Sequence, residues 1–200
     1  NHIDVSFDML YLRPDVIHAF EDREIKRVLW RYINIANNKA PARFLFLKSF
    51  EVEIPRDANL IELWKLHDEL IKEAKKNGSN KLKYYKTNLL TLKKVIANKI
   101  LRECQLCEWK CKVDRIKGQK GFCRVGDEIR ISSEFIHMGE ESFITPSHTI
   151  FFWSCNMQCI FCQNYTISYR LEKGELVEPK ILARIIERRR REGCRNVNLV

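Results

Sequence analysis

No run of roughly 18 or more apolar residues occurs in the 200-residue sequence, which excludes a transmembrane helix. The N-terminal stretch NHIDVSFDMLYLRPD is broken by Asp4, Asp8 and Arg13 and lacks the pattern of a secretory leader. It also lacks an initiating methionine, so the chain reads as a fragment or a trimmed protein. Without a leader, the eight cysteines are not read as a secreted disulfide framework. They point instead to a reducing, cytoplasmic compartment and to metal chemistry, with no membrane partner. Disorder is excluded by a composition of 45% hydrophobic and 31% charged residues, which suits a soluble globular protein of one or two domains. The net charge of +10 permits an acidic or nucleic-acid partner without requiring one. The lysines are interspersed with acids along helical faces and are not gathered with aromatics, which disfavours nucleic acid.

Residues 1–100 contain no recognisable chemistry. Residues 14–38 predict one long amphipathic helix, with Pro14 in its first turn and Ile25, Val28, Leu29, Tyr32, Ile33 and Ala36 on one stripe. Asn37 and Asn38 are its exit ahead of Pro41. Phe44–Ile54 predicts a half-buried strand, because Phe50, Val52 and Ile54 alternate with Glu51 and Glu53. A second helix, capped by Asp57, carries Leu60, Leu63, Trp64, His67, Leu70, Ile71 and Ala74, with His67 as a packing histidine. A break at Lys75–Asn80 precedes a third helix carrying Leu82, Tyr85, Leu89, Leu92 and Ile96. Together these predict a helical accessory domain over 1–103.

The chemistry lies later. Cys155, Cys159 and Cys162 stand in a C-x-x-x-C-x-x-C pattern directly after the apolar run Ile150–Trp153. Thiolate is a soft donor, so cysteines packed this tightly are first a metal site. A structural zinc site is normally closed by four protein ligands, and an ordinary 4Fe-4S cluster uses four cysteines. Three cysteines on a four-iron cube leave one iron open to a substrate or cofactor, which is a catalytic arrangement. The competing reading is a zinc site completed by His148 or Cys194.

These residues resemble the radical S-adenosylmethionine superfamily, whose hallmark is C-x-x-x-C-x-aromatic-C, with Phe161 as the aromatic. The wider stretch SHTIFFWSCNMQCIFCQNYTIS, with GFCRVG and IHMGEE upstream, is similar to the branch related to pyruvate formate-lyase activating enzymes. Ser154 departs from the glycine usual before the first cysteine, implying a slightly different loop. The resemblance implies an oxidoreductase in which Cys155, Cys159 and Cys162 hold a 4Fe-4S cluster that chelates S-adenosylmethionine. Phe161 would lie near the adenine, and Asn164 and Tyr165 would hydrogen-bond the cofactor or the cluster sulfurs. An electron donor such as ferredoxin or flavodoxin is implied, and a backbone glycine of a partner enzyme is the implied substrate. The alternatives are a radical enzyme acting on RNA or a small molecule, and a non-enzymatic zinc-binding interaction module.

A second set, Cys104, Cys107, Cys111 and Cys123, can close a tetrahedral zinc site or a second iron–sulfur cluster, with Gly118 and Gly121 letting the chain turn back. It occupies a metal-binding segment over 104–145. The run Gly139-Glu140-Glu141 precedes the first barrel strand and is given no cofactor role. From 146 onward the pattern is a strand Thr149–Trp153, a helix opened by Pro179 and a strand Asn196–Val200, making one βαβ unit. Ile181, Leu182, Ile185 and Ile186 form the inner face of that helix, and Arg188–Arg191 its solvated end stopped by Gly193. The predicted fold class is therefore α/β: the start of a truncated (β/α)6 radical S-adenosylmethionine barrel after a helical accessory domain and a Cys-rich segment. The chain then reads as the N-terminal part of a longer enzyme.

Overall fold

In the computed structural model, which describes residues 13–19, 21–76, 83–172 and 174–200, the chain is a mixed α/β protein with a small four-stranded sheet and several helices. It divides into two compact units, one formed by residues up to Lys39 with Glu128–Val200 and the other by Ala40–Asp127. The divisions fall at 39/40 and 127/128, where the sequence reading set them at 103 and 145. None of the described helices is long and apolar enough to cross a membrane.

Among the described residues of the first unit, three short helices, α1 (Asp15–His18), α2 (Arg23–Val28) and α3 (Trp30–Ala36), take the place of the single long helix expected from 14–38. The Asp22 carboxylate accepts from the Ile25 amide and starts α2 afresh. Leu29, at φ −96 and ψ 15, then separates α2 from α3. Leu29 still bonds Ile25 and Ile33 in helical register, and Ile25, Leu29, Tyr32, Ile33 and Ala36 are half-buried, whereas Val28, expected on the same stripe, is 65% exposed. The expected exit is found, with Asn38 at φ 57 in the left-handed region that asparagine tolerates.

The sheet follows, with β1 (Arg130–His137), β2 (Ser147–Phe152), β3 (Glu175–Leu176) and β4 (Asn196–Leu199) in the order β3-β1-β2-β4. Between β2 and β4 run α7 (Tyr165–Ser168) and α8 (Pro179–Arg191). β2 and β4 pair in parallel from Ser147 opposite Asn196 to Ile150 opposite Leu199, so the expected strand–helix–strand unit is present. β1, which sequence reasoning left unassigned, runs antiparallel to β2 from His137 opposite Ser147 to Ile131 opposite Phe152. It covers the strand edge that a lone βαβ unit would leave unpaired. Lying between two strands, β2 is buried from Ser147 to Ile150, on both faces.

α8 is tied to the sheet by charge, and Leu182, Ile185 and Ile186 on its expected inner face are half-buried. Ile181, expected inward, is 43% exposed. Arg189 grips Glu134 of β1 with two bonds of 2.8 Å, and Arg188 reaches the same carboxylate at 3.1 Å. His148, fully buried on β2, adds a 2.8 Å contact to that carboxylate from the other side. Part of the arginine run is therefore a sheet anchor and not a purely solvated helix end. Gly193, at φ 100, stops the helix as expected.

The second unit contains α4 (Arg43–Lys48), α5 (Leu60–Lys76) and α6 (Leu89–Arg102). Its core is Val52, Ala58, Leu63, Ala74, Leu89, Leu92 and Ile96, with Phe46 and Phe50 meeting edge-on at 4.8 Å. The strand expected over 44–54 is a helix in its first half. Phe46, Leu47 and Phe50 lie at helical spacing and pack on that core. The alternation of 50–54 does match burial, with Val52 buried between exposed Glu51 and Glu53. Among the described residues a single bridge forms there, Glu51 to Asn88, where the facing chain turns directly into α6.

Asn59, and not Asp57, caps α5. Its Oδ1 accepts from the Ile61 and Glu62 amides at 2.9 and 3.0 Å, while the Glu62 carboxylate accepts from the Asn59 amide at 2.8 Å. A similar reciprocal box, Asn88 with Thr91, starts α6, later than the expected third helix, so Tyr85 precedes it. The break at Lys75–Asn80 falls largely outside the described residues, as does Leu82. His67 is a buried packing histidine, as expected, bonded to Asp68 at 2.9 Å and edge-on to Trp64.

The Arg189 guanidinium holds the Glu134 carboxyl below the usual glutamate range, against the opposing effect of burial. A depressed folded value stabilises the fold above the ordinary 4.5 and loses that contribution as pH falls through the folded value. Glu134→Gln is expected to cost about 1–3 kcal/mol at neutral pH, with the deficit shrinking in acid. Urea titrations of both proteins between neutral and acidic pH check this; a pH-independent deficit would count against the ion pair.

Candidate metal centre

The loop bearing Cys155, Cys159 and Cys162 leaves the C-terminal end of β2, the edge at which parallel α/β units carry their chemistry. Ser154 takes φ 75, a left-handed conformation that costs a side-chain-bearing residue about 1–2 kcal/mol. The serine thus adopts the backbone that a glycine would take more readily. Gln158 is also left-handed, at φ 51. Cys159 and Cys162 are then joined by a tight turn, the Cys162 amide donating to the Cys159 carbonyl at 3.1 Å, before α7 begins.

Of the three thiols, Cys159 is exposed and the other two half-buried, and none is in a disulfide. The Met157 amide donates to Cys155 Sγ at 3.4 Å, and Cys162 Sγ lies 3.4 Å from the Ser168 hydroxyl. Ile160 and Phe161 stand out from the loop at 102% and 85% exposure. Asn164 is half-buried and its carbonyl caps the start of α7 by accepting from Ile167 and Ser168, while Tyr165 is exposed.

A clamp closes the loop at its base. The Ser154 amide donates to the Ile167 carbonyl at 2.9 Å, and the Trp153 indole donates to the Leu171 carbonyl at 3.1 Å. Arg130 lies 5.6 Å from the Trp153 ring centre and donates to the Gly174 carbonyl at 3.1 Å. Gly174 abuts that ring so closely that a Cβ there would fall 2.5–2.7 Å from its atoms. Sequence reasoning missed this clamp and Ser168. The one available signal was a tryptophan at the strand end, two residues before the first cysteine.

Among the described residues, no three His, Cys, Asp or Glu side chains converge as ligands of a single ion. The donor chemistry of the loop nevertheless fits an iron–sulfur cluster: three accessible soft thiols carried by one short segment. His148, engaged by Glu134 toward the far end of β2, does not join them. Cys194 does not either, being buried beside Ala36, Ile186 and Val197, with burial raising its thiol pKa.

The second cysteine set belongs to the helical unit. Cys104 follows α6 and forms a small backbone ladder, its amide donating to Val113 and its carbonyl accepting from Lys112. Lys110 and Lys112 make the turns with positive φ. Gly118 does turn the chain, at φ 77, whereas Gly121 serves a close approach: a Cβ there would lie 2.8 Å from Cys111 Cβ and Sγ. Arg115, which sequence reasoning did not single out, is 4% exposed and donates to Cys104 Sγ at 2.9 Å. Burial would raise the Cys104 thiol, but the Leu106 amide and the Arg115 guanidinium outweigh it and hold the pKa below its ordinary value.

No family model and no solved structure matches the chain. It is 41% identical over 180 residues to an uncharacterized protein of Methanocaldococcus jannaschii, an alignment covering 86% of this chain and 52% of that relative. The chain thus spans about half the length of the curated relative it matches.

Gly174→Ala is expected to push the Trp153 ring aside and cost about 1–3 kcal/mol. Hydrogen exchange at the Ser154 and Tyr169 amides should rise well above wild type, and unchanged protection would show that the loop is held without this contact.

Proposed function

We propose that this chain carries the cluster-binding strand and loop of a radical S-adenosylmethionine enzyme built on a (β/α) barrel. The observation that carries the reading is the pattern Cys155, Cys159, aromatic Phe161, Cys162, presented at the C-terminal end of a strand in parallel pairing with the next. Cys155, Cys159 and Cys162 would hold a 4Fe-4S cluster with one iron left free of protein ligands, and such a cluster would supply the electron for reductive cleavage of S-adenosylmethionine, the chemistry from which hydrogen abstraction follows.

The chain's own residues have simpler tasks. Cys155, Cys159 and Cys162 supply the thiolates. The Met157 amide and the Ser168 hydroxyl, within reach of two of the sulfurs, stabilise their negative charge and thereby bias the potential of whatever they bind. Phe161, exposed beside Cys162, offers an apolar face to a planar base. Asn164 and Tyr165 follow directly and offer polar contacts to the same cofactor. The Trp153 clamp holds the loop on the strand end, so orientation comes from a rigid base.

The proposed substrate is a backbone glycine of a partner enzyme, following the activating-enzyme resemblance, with a reduced ferredoxin or flavodoxin as electron donor. RNA or a small molecule is the alternative substrate, which the net charge of +10 keeps in view.

Anaerobic reconstitution with iron and sulfide tests the reading. The full chain should gain visible thiolate-to-iron absorbance, and Cys159→Ala should lose the share due to this loop while the Cys104→Ala variant keeps it. The dithionite-reduced protein is expected to convert S-adenosylmethionine to 5′-deoxyadenosine. Zinc uptake by Cys155, Cys159 and Cys162 with no iron would sink the proposal.

A further inference from the structure

Arg115 poses a problem of charge. Its guanidinium is 4% exposed, and a cation buried this far is costly unless an anion compensates it. Among the described residues no carboxylate forms an ion pair with it. Its side-chain partners are the thiols of Cys104 and Cys123, and its remaining bond goes to the Val125 carbonyl. Sulfur is thus what the buried guanidinium faces.

The neighbouring amides point to sulfur as well. Leu106 donates its N–H to Cys104 Sγ, and Phe122 donates to Cys111 Sγ at 3.3 Å. Three of the four cysteines, Cys104, Cys111 and Cys123, therefore receive N–H donors. The two segments that carry the set are stapled by the Trp109 and Phe122 rings, stacked 3.6 Å apart at 16°. Trp109 stands between Cys107 and Cys111, and Phe122 directly precedes Cys123. Gly121, with no room for a Cβ against Cys111, lets the second segment close on the first.

No three of these thiols converge on a single point, yet from the shared N–H donors and the braced segments we infer a second metal centre: Cys104, Cys107, Cys111 and Cys123 bind a thiolate-preferring metal that gathers them, and Arg115 is the positioning residue that orients two of the ligands and offsets the negative charge of the site. Four thiolates around a divalent ion carry two negative charges, and one buried guanidinium halves that excess. All four ligands come from the protein, so the site is closed and structural in kind. Zinc and an iron–sulfur cluster share this ligand chemistry. The inference does not rest on the function proposed above, since it uses none of Cys155, Cys159 or Cys162.

The test uses the full chain with Cys155, Cys159 and Cys162 replaced by alanine, so that any metal belongs to the second set. Zinc at one per chain, or iron with sulfide, is expected on anaerobic purification, the ratio telling which. In that protein the metal should shield Cys104, Cys107, Cys111 and Cys123 from iodoacetamide, with all four becoming labelled after chelation. Adding Arg115→Met should speed metal loss to a chelator by about 10–100-fold, with Arg115→Lys intermediate. Should Arg115→Met fail to fold, the labelling of the parent protein decides alone. Four cysteines labelled equally with and without chelator, or metal loss unchanged by Arg115→Met, would overturn the inference.

Discussion

Glu134 is the junction of the sheet-bearing unit. A single carboxylate on β1 takes two guanidinium groups from α8 and the imidazole of the fully buried His148 from β2. Partners drawn from one helix and the neighbouring strand hold the helix at a set position along the sheet, which apolar packing does less sharply because it is non-directional. β2 lies at the centre of this arrangement, paired on both edges. The position of its C-terminal end, and of the cysteine loop that leaves it, follows from that.

The two cysteine sets stand in opposite environments. The set on the sheet unit is presented outward, with Phe161 and Ile160 exposed beside it and its charge-stabilising donors few. In the set on the helical unit Cys104 is buried and accepts from the Arg115 guanidinium, and a ring stack braces the segments. The same residue type therefore carries two different physical designs within one short chain.

Much of this was legible in residue patterns, and the failures are instructive. The end of β2, the cysteine loop and the βαβ step could be read because a continuous apolar run, a cysteine spacing and a proline-opened helix are all local signals. The α4 region was misread because Phe44–Leu47 is apolar throughout, so neither period stands out until the core shows which residues turn inward. The helix expected over 14–38 was too long because Asp22, whose carboxylate starts a new helix, interrupts the stripe with no proline or glycine to announce a break. β1 was missed since its exposed and half-buried residues show no clean alternation. The Glu134–Arg189 pair spans 55 residues, and no local pattern announces a contact at that separation. Arg115 lay hidden for another reason: burial, which makes an arginine informative, is a property of the folded chain alone.

The Trp153–Gly174 clamp has a thermodynamic consequence. An open segment of this kind would have to surrender its chain freedom each time its sulfurs gathered around a ligand, and that loss would weaken binding. Here the two ends of the loop are already held together at the strand terminus, by the indole on Leu171 and the Ser154 amide on Ile167. The entropy of closing the ring is met during folding. For the cluster proposed above, only the short arc between Cys155 and Cys162 would be left to order, so tryptophan and glycine would contribute to affinity without serving as ligands.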